Sequence, residues 1–147
     1  MEDAMSVESI LRKKGTDVAT IAADVSVKRA ADWLRAKNIG ALVVTSGDAI
    51  LGVVSEREIV HAFSEHGEAV TSVPVKAIMR YGAITVAPAE SVSRVMTLMT
   101  RHRVRHIPVV QAGKLAGIIS IGDVVKYRLA DLELENGVLR DAYMAAH

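Results

Sequence analysis

Residues 18 to 63 of this chain recur as residues 83 to 128, at a constant offset of 65 and without a gap. Thr20, Ile21 and Ala22 align with Thr85, Val86 and Ala87, and Ser26-Val27-Lys28-Arg29 aligns with Ser91-Val92-Ser93-Arg94. Further on, Gly52-Val53-Val54-Ser55 meets Gly117-Ile118-Ile119-Ser120, with Glu58 opposite Asp123. Between Thr20 and Val60 nine positions are identical, where a composition this rich in Ala and Val gives roughly three by chance. A doubled unit implies a pseudo-two-fold object with a cleft between its halves, and equivalent residues should occur twice around that cleft.

Each half is about 60 residues, which is marginal as an independent domain, so the halves are expected to share an interface. The net charge is +1, from 18 basic and 17 acidic residues, which gives no bulk attraction to nucleic acid or to an anionic membrane. Aromatic residues make up 3% of the chain, so the core must be aliphatic and a base-stacking surface is hard to assemble. The absence of cysteine removes disulfides, thiolate nucleophiles and cysteine-type metal sites. No apolar run approaches membrane-spanning length, and Met1-Glu2-Asp3 is acidic where a signal peptide is basic. The expectation is a soluble, cytoplasmic protein.

Hydrophobic spacing places a short leading helix at Val7, Ile10 and Leu11, closed by Gly15, and a brief strand at Val18 to Ile21. Val27, Ala30, Ala31 and Leu34 form one apolar helix face, with Asp24 or Ser26 as its cap and Asn38 to Gly40 as its stop. Strands follow at Ala41 to Thr45 and Ile50 to Ser55, with Ser46-Gly47-Asp48 as the turn, and then a helix from Glu56. Val75 to Met79 restarts the pattern, matching Val7 to Leu11 at an offset of 68, so the first copy carries three extra residues around Lys13 to Thr16. Val92, Val95, Met96 and Met99 form the matching helix face, with the methionines as core fillers. The organisation expected is a first repeat at 7–65, a linker at 66–74, a second repeat at 75–130 and a helical extension at 131–147. That extension has no core of its own, and a second subunit is its expected partner.

Two motifs carry chemistry. The first is Gly-h-h-Ser-x-x-acid (h, apolar), present as Gly52 to Glu58 and as Gly117 to Asp123. Ser-x-x-Glu or Ser-x-x-Asp at a helix start is a capping box. The same helix start presents free N–H groups to an anion, and its carboxylate can accept the paired hydroxyls of a ribose. The second is Arg101-His102-Arg103-Val104-Arg105-His106-Ile107-Pro108-Val109-Val110, where Arg105 and His106 stand at a strand start occupied in the first copy by Gly40 and Ala41. Charge at the start of one strand but not its twin points to a phosphate ligand rather than to folding. His61, His66 and His147 are scattered, and no nucleophile–base or metal-binding spacing is present.

With these motifs in their order, the chain resembles a tandem pair of cystathionine-β-synthase-type (CBS) domains, also called a Bateman module, over about residues 7 to 130. It also resembles the CBS pair inserted in inosine-monophosphate dehydrogenase. The resemblance implies a mixed α/β (α+β) fold of two β-α-β-β-α units packed sheet to sheet, a homodimer, and an adenosine ligand in the cleft. AMP is the first expectation, followed by NAD(H), ATP or ADP, and S-adenosylmethionine. Carried over by position, Asp123 holds the ribose hydroxyls, Ser120 lies near ribose or phosphate, Arg105 and His106 face phosphate, and Arg57 reaches phosphate from the other copy. Ala83 and Ile84 line the adenine, and Ser55 with Glu58 forms the corresponding first-copy site. Glu58 departs from the usual aspartate, and Gly40 and Ala41 offer no charge, so the Asp123 site is expected to be the stronger. The function expected is a non-catalytic nucleotide sensor acting through a separate effector protein, without membrane or nucleic-acid binding. The alternatives are an enzyme acting on nucleotides, with His106 as its base, and an RNA-binding protein using Arg101, Arg103 and Arg105.

Overall fold

The computed structural model of the chain describes residues 6–146; Met1 to Asp3 and His147 lie outside the described residues. The elements run α1 (Val7–Lys14), β1 (Thr20–Ala22), α2 (Val27–Lys37), β2 (Ala41–Ser46), β3 (Ala49–Ser55), α3 (Glu56–His66), β4 (Arg80–Tyr81), α4 (Val92–His102), β5 (His106–Gln111), β6 (Lys114–Ser120) and α5 (Ile121–Ala146). This is the expected mixed α/β pair. Local chemistry repeats with the sequence. Ser26 accepts from the Arg29 N–H and Ser91 from the Arg94 N–H, capping α2 and α4. Both helices stop in the left-handed region, at Asn38 (φ 53°) and Arg103 (φ 54°). β2–β3 and β5–β6 pair antiparallel with a register shift at the equivalent place in each, Val44/Thr45 and Val109/Val110.

The leading segments cross over. α1, expected within the first repeat, packs in the second core, where Val7, Ile10 and Leu11 join Val86, Val92, Ile107 and Ile119. Reciprocally, Val75 and Met79 lie in the first core with Ile21, Leu34, Leu42 and Val54. Equivalent hydrogen bonds fix both crossings. The Val7 and Glu8 N–H groups donate to Glu90 and Pro88 carbonyls, while the Val75 and Lys76 N–H groups donate to Val25 and Ala23. The repeated glycines make room for this exchange: a Cβ on Gly52 would stand 2.1 Å from the Arg80 carbonyl oxygen, and one on Gly117 would stand 2.7 Å from a Leu11 methyl. Each half therefore needs the other to complete its core, as the size of a half requires.

The copies also differ. The first sheet has four strands in the order β1-β2-β3-β4, whereas the second has β5-β6 alone, with a single parallel bridge from Val86 to Val109. Pro108 accounts for the loss of the strand equivalent to β1. Its counterpart Val43 donates its N–H to the Ala19 carbonyl, and proline has no N–H to give Ile84. The second leading segment is a 3-10 turn at Val75–Ala77 instead of a helix, because the chain must extend by Arg80 to pair with β3. The segment from 66 to 74, expected without periodicity, contains a 3-10 helix at Gly67–Ser72 that buries Val70 in the first core.

Candidate functional site

β1 and β2 run parallel and β3 returns antiparallel, so the starts of β1 and β2, the end of β3 and the N-terminus of α3 lie together at one end of the first sheet. The second copy repeats this, and the two ends face each other across the pseudo-axis. Tying each end together, the Glu56 N–H donates to the Gly40 carbonyl and the Ile121 N–H to the Arg105 carbonyl.

Two cavities open along this junction, and they are pseudo-symmetry mates. One, of about 380 Å³, joins Val53, Arg57 and Glu58 of the first copy to Ala83, Ile84, Arg103, Arg105 and His106 of the second, with Arg80 between them. The other, of about 660 Å³, joins Ile118 and Ser120 of the second copy to Val18, Ala19, Asn38, Gly40 and Ala41 of the first, with Lys14, Asp17 and Lys37 alongside. Both volumes suit a nucleotide-sized ligand. Sequence reasoning grouped Asp123 and Ser120 with Ala83, Ile84 and Arg105; the structure separates them. Ala83, Ile84 and Arg105 share their cavity with Arg57 and Glu58, and Ser120 faces the first copy's strand starts. The reason is topological: the strand starts of one repeat look across the pseudo-axis at the helix start of the other.

The first cavity is strongly cationic. Among the described residues none of Arg57, Arg80, Arg103 and Arg105 pairs with a carboxylate. Arg57 and Arg80 instead donate to carbonyls at the C-terminus of α4, those of Arg103 and His102, at 3.1–3.4 Å. Glu58 Oε1 accepts both the Ser55 N–H at 2.8 Å and the Ser55 hydroxyl at 2.6 Å, which holds the carboxylate at the cavity wall. Because Pro108 cannot bond it, the Ile84 carbonyl accepts no backbone N–H among the described residues and remains available to a donor such as an exocyclic amine. Its counterpart, the Ala19 carbonyl, is taken by the Val43 N–H at 3.1 Å.

The second cavity has its own cation. Lys14, at the end of α1, donates to Asp123 Oδ2 at 2.5 Å and to the Ile118 carbonyl at 2.8 Å. Asp123 also accepts the Ser120 N–H at 2.8 Å, and its own N–H donates to the Ser120 hydroxyl at 3.1 Å, a complete capping box. Burial alone would raise the Asp123 carboxyl, but the Lys14 ammonium and the Ser120 hydrogen bonds hold it below its ordinary value. Sequence reasoning missed Lys14. The signal was the three-residue insertion at Lys13 to Thr16, which lengthens α1 until it reaches Asp123.

His106 lies at the pseudo-axis and lines both cavities. A Cβ on Gly40 would stand 3.1 Å from His106 Nε2. The contrast between Gly40-Ala41 and Arg105-His106 is therefore partly steric, since the small residues of one copy admit the large residues of the other. Burial and the nearby Lys14 ammonium push the His106 imidazole below its ordinary value, so it is neutral at pH 7. The arginine cluster proposed for RNA divides: Arg103 and Arg105 face the cavity, whereas Arg101 lies with Met96, Thr97 and Thr100 on another face of α4.

The sequence matches the CBS domain twice, over residues 7–65 and 75–130. The chain belongs to the CBS-domain family. A stand-alone CBS-domain protein of Arabidopsis thaliana, CBSX3 (mitochondrial), is 32% identical over 133 residues, covering 84% of this chain and 65% of that protein. The match to inosine-5′-monophosphate dehydrogenase of Korarchaeum cryptofilum, 33% over 109 residues, covers 74% of this chain but 22% of the enzyme. Among solved structures, the CBS-domain containing protein ATU1752 of Agrobacterium tumefaciens superposes with a TM-score of 0.82 at 42% identity, covering 84% of this chain and 98% of that one. The CBS pair of protein MJ0100, solved with 5′-methylthioadenosine and S-adenosylmethionine, shares the fold at a TM-score of 0.76 and 22% identity, covering 86% of this chain and 97% of that one.

Proposed function

We propose that this CBS pair is a non-catalytic regulatory module that binds an adenine nucleotide in the cavity between Glu58 and Arg105. One observation carries the reading: four arginines without carboxylate partners among the described residues converge on a cavity that also holds the Glu58 carboxylate and the open Ile84 carbonyl. Phosphate answers the guanidinium groups, ribose hydroxyls answer Glu58, and the adenine amine answers Ile84. This transfers the phosphate-bearing role from the Asp123 site to the Glu58 site. AMP remains the first candidate, followed by NAD(H), ATP and ADP. S-adenosylmethionine, which carries a sulfonium charge, fits this cavity less well. The adenosine ligands of the MJ0100 pair support the general capacity of the fold. Signalling follows if the ligand prefers one arrangement of the two halves, and an effector protein reads the difference.

Calorimetry with AMP on the wild type and on Arg105→Ala, Glu58→Ala and Asp123→Ala variants tests the assignment. Arg105→Ala and Glu58→Ala are each expected to weaken AMP by about 10–100-fold, and Asp123→Ala to leave it within about threefold. Loss of binding in Asp123→Ala alone would move the ligand to the other cavity, and no binding of any adenine nucleotide would overturn the reading.

A further inference from the structure

α5 is 26 residues long, yet its only buried residue is Val124, with Tyr127 packed beside it against the second core. From Leu132 to Ala146 every residue except Gly137 is exposed. Within this helix Val125, Leu129, Leu132, Asn136, Leu139 and Tyr143 follow one another at intervals of four and three. That is the seam of a heptad coiled coil, with Leu129, Asn136 and Tyr143 at a and Val125, Leu132 and Leu139 at d. The apolar members are 39–65% exposed, so the seam faces solvent along its length. A second stripe, Leu134 and Val138, is also exposed, but Asp131 and Asp141 interrupt it at the same spacing and prevent a dry contact.

We propose that this seam is the docking surface for α5 of a second copy of the chain, in a parallel, in-register, two-stranded coiled coil. Charge decides the partner and its direction. Arg128 and Glu135 occupy g, and Glu133 and Arg140 occupy e. In a parallel pair each g residue faces the e residue five positions on in the other helix. Arg128 then meets the second copy's Glu133, and Glu135 meets the second copy's Arg140. An antiparallel pair centred on the same seam would set Glu133 against Glu133, Glu135 against Glu135 and Lys126 against Arg140. Asn136 at a supplies the polar layer that fixes register and limits the assembly to two strands. Gly137 falls at b, on the outer face, where open space surrounds it. The inference does not depend on which nucleotide binds, or on whether any does.

The chain has no cysteine, so a single introduced thiol can form a disulfide only between copies. Leu139→Cys is expected to yield a disulfide-linked dimer under mild oxidation, because equivalent d positions face each other in a parallel pair. Leu134→Cys, equally exposed but off the seam, is expected not to. In sedimentation the wild type should be dimeric. Leu132→Asp combined with Leu139→Asp should raise the dimer dissociation constant at least about tenfold, while Leu134→Asp leaves it unchanged. A wild-type monomer, an unchanged dissociation constant in the double variant, or cross-linking at Leu134 equal to that at Leu139 would each overturn the proposal.

Discussion

The two cavities are built from the same parts in the same order, and a handful of substitutions gives them different characters. Around Glu58 the strand start carries Arg103, Arg105 and His106, and the Ile84 carbonyl is open; around Ser120 the equivalents are Asn38, Gly40 and Ala41, and the Ala19 carbonyl is bonded. Conversely, the Asp123 carboxylate is already neutralised by Lys14 from the same chain, whereas among the described residues Glu58 accepts only from Ser55. The arginines of one cavity have no carboxylate partner among the described residues, whereas Lys14 at the other is paired with Asp123. Duplication supplies two cavities; small changes in charge, in one proline and in helix length give them their different characters.

The sharpest test of the symmetry lies in the paired glycines. Gly52→Ala should destabilise the protein by about 2–3 kcal/mol in chemical denaturation, because the added carbon meets the backbone of Arg80. Gly117→Ala should cost about 1 kcal/mol, because the obstacle there is the movable end of Leu11. Equal costs would break the comparison.

Lys14→Ala addresses the difference in charge. It should cost about 1–2 kcal/mol of stability and raise the Asp123 carboxyl towards its ordinary value, followed by NMR titration. Pro108→Val asks whether the open carbonyl matters. The restored N–H should bond Ile84, lengthen the second sheet and weaken AMP by roughly 3–10-fold; unchanged affinity would remove Ile84 from the site.

The smallest effect is a pH dependence. His106 titrates below its ordinary value in the folded protein, so between the lowered folded-state value and about pH 6.5 the unfolded chain binds a proton that the native state refuses. Stability should therefore fall as pH drops below about 6.5, and His106→Gln should flatten the decline seen in denaturation midpoints.

Much of this was legible in the sequence because it is local. The offset of 65, the capping serines, Asn38 and the apolar faces of α2 and α4 follow from spacing alone. What escaped depends on how the halves meet. Nothing in the pattern of Val7, Ile10 and Leu11 says which core receives them, since both cores offer the same aliphatic surface. The grouping of site residues changes for the same reason: Ser120 and Arg105 belong to one repeat in sequence but line different cavities across the pseudo-axis. Arg103 stands in a basic run of the sequence, and its left-handed backbone, where its twin is the better-suited Asn38, becomes visible only in three dimensions.

The exchange of leading segments has a consequence for the chain as a polymer. Two separate half-length chains trading their first ten or so residues would have to find each other, and their assembly would depend on concentration. The segment from 66 to 74 turns that encounter into a ring closure within one molecule, where the effective concentration of each half for the other is on the order of millimolar. The two halves are thus obliged to fold as one cooperative unit, and a disturbance at either cavity is felt by a core that belongs partly to the other.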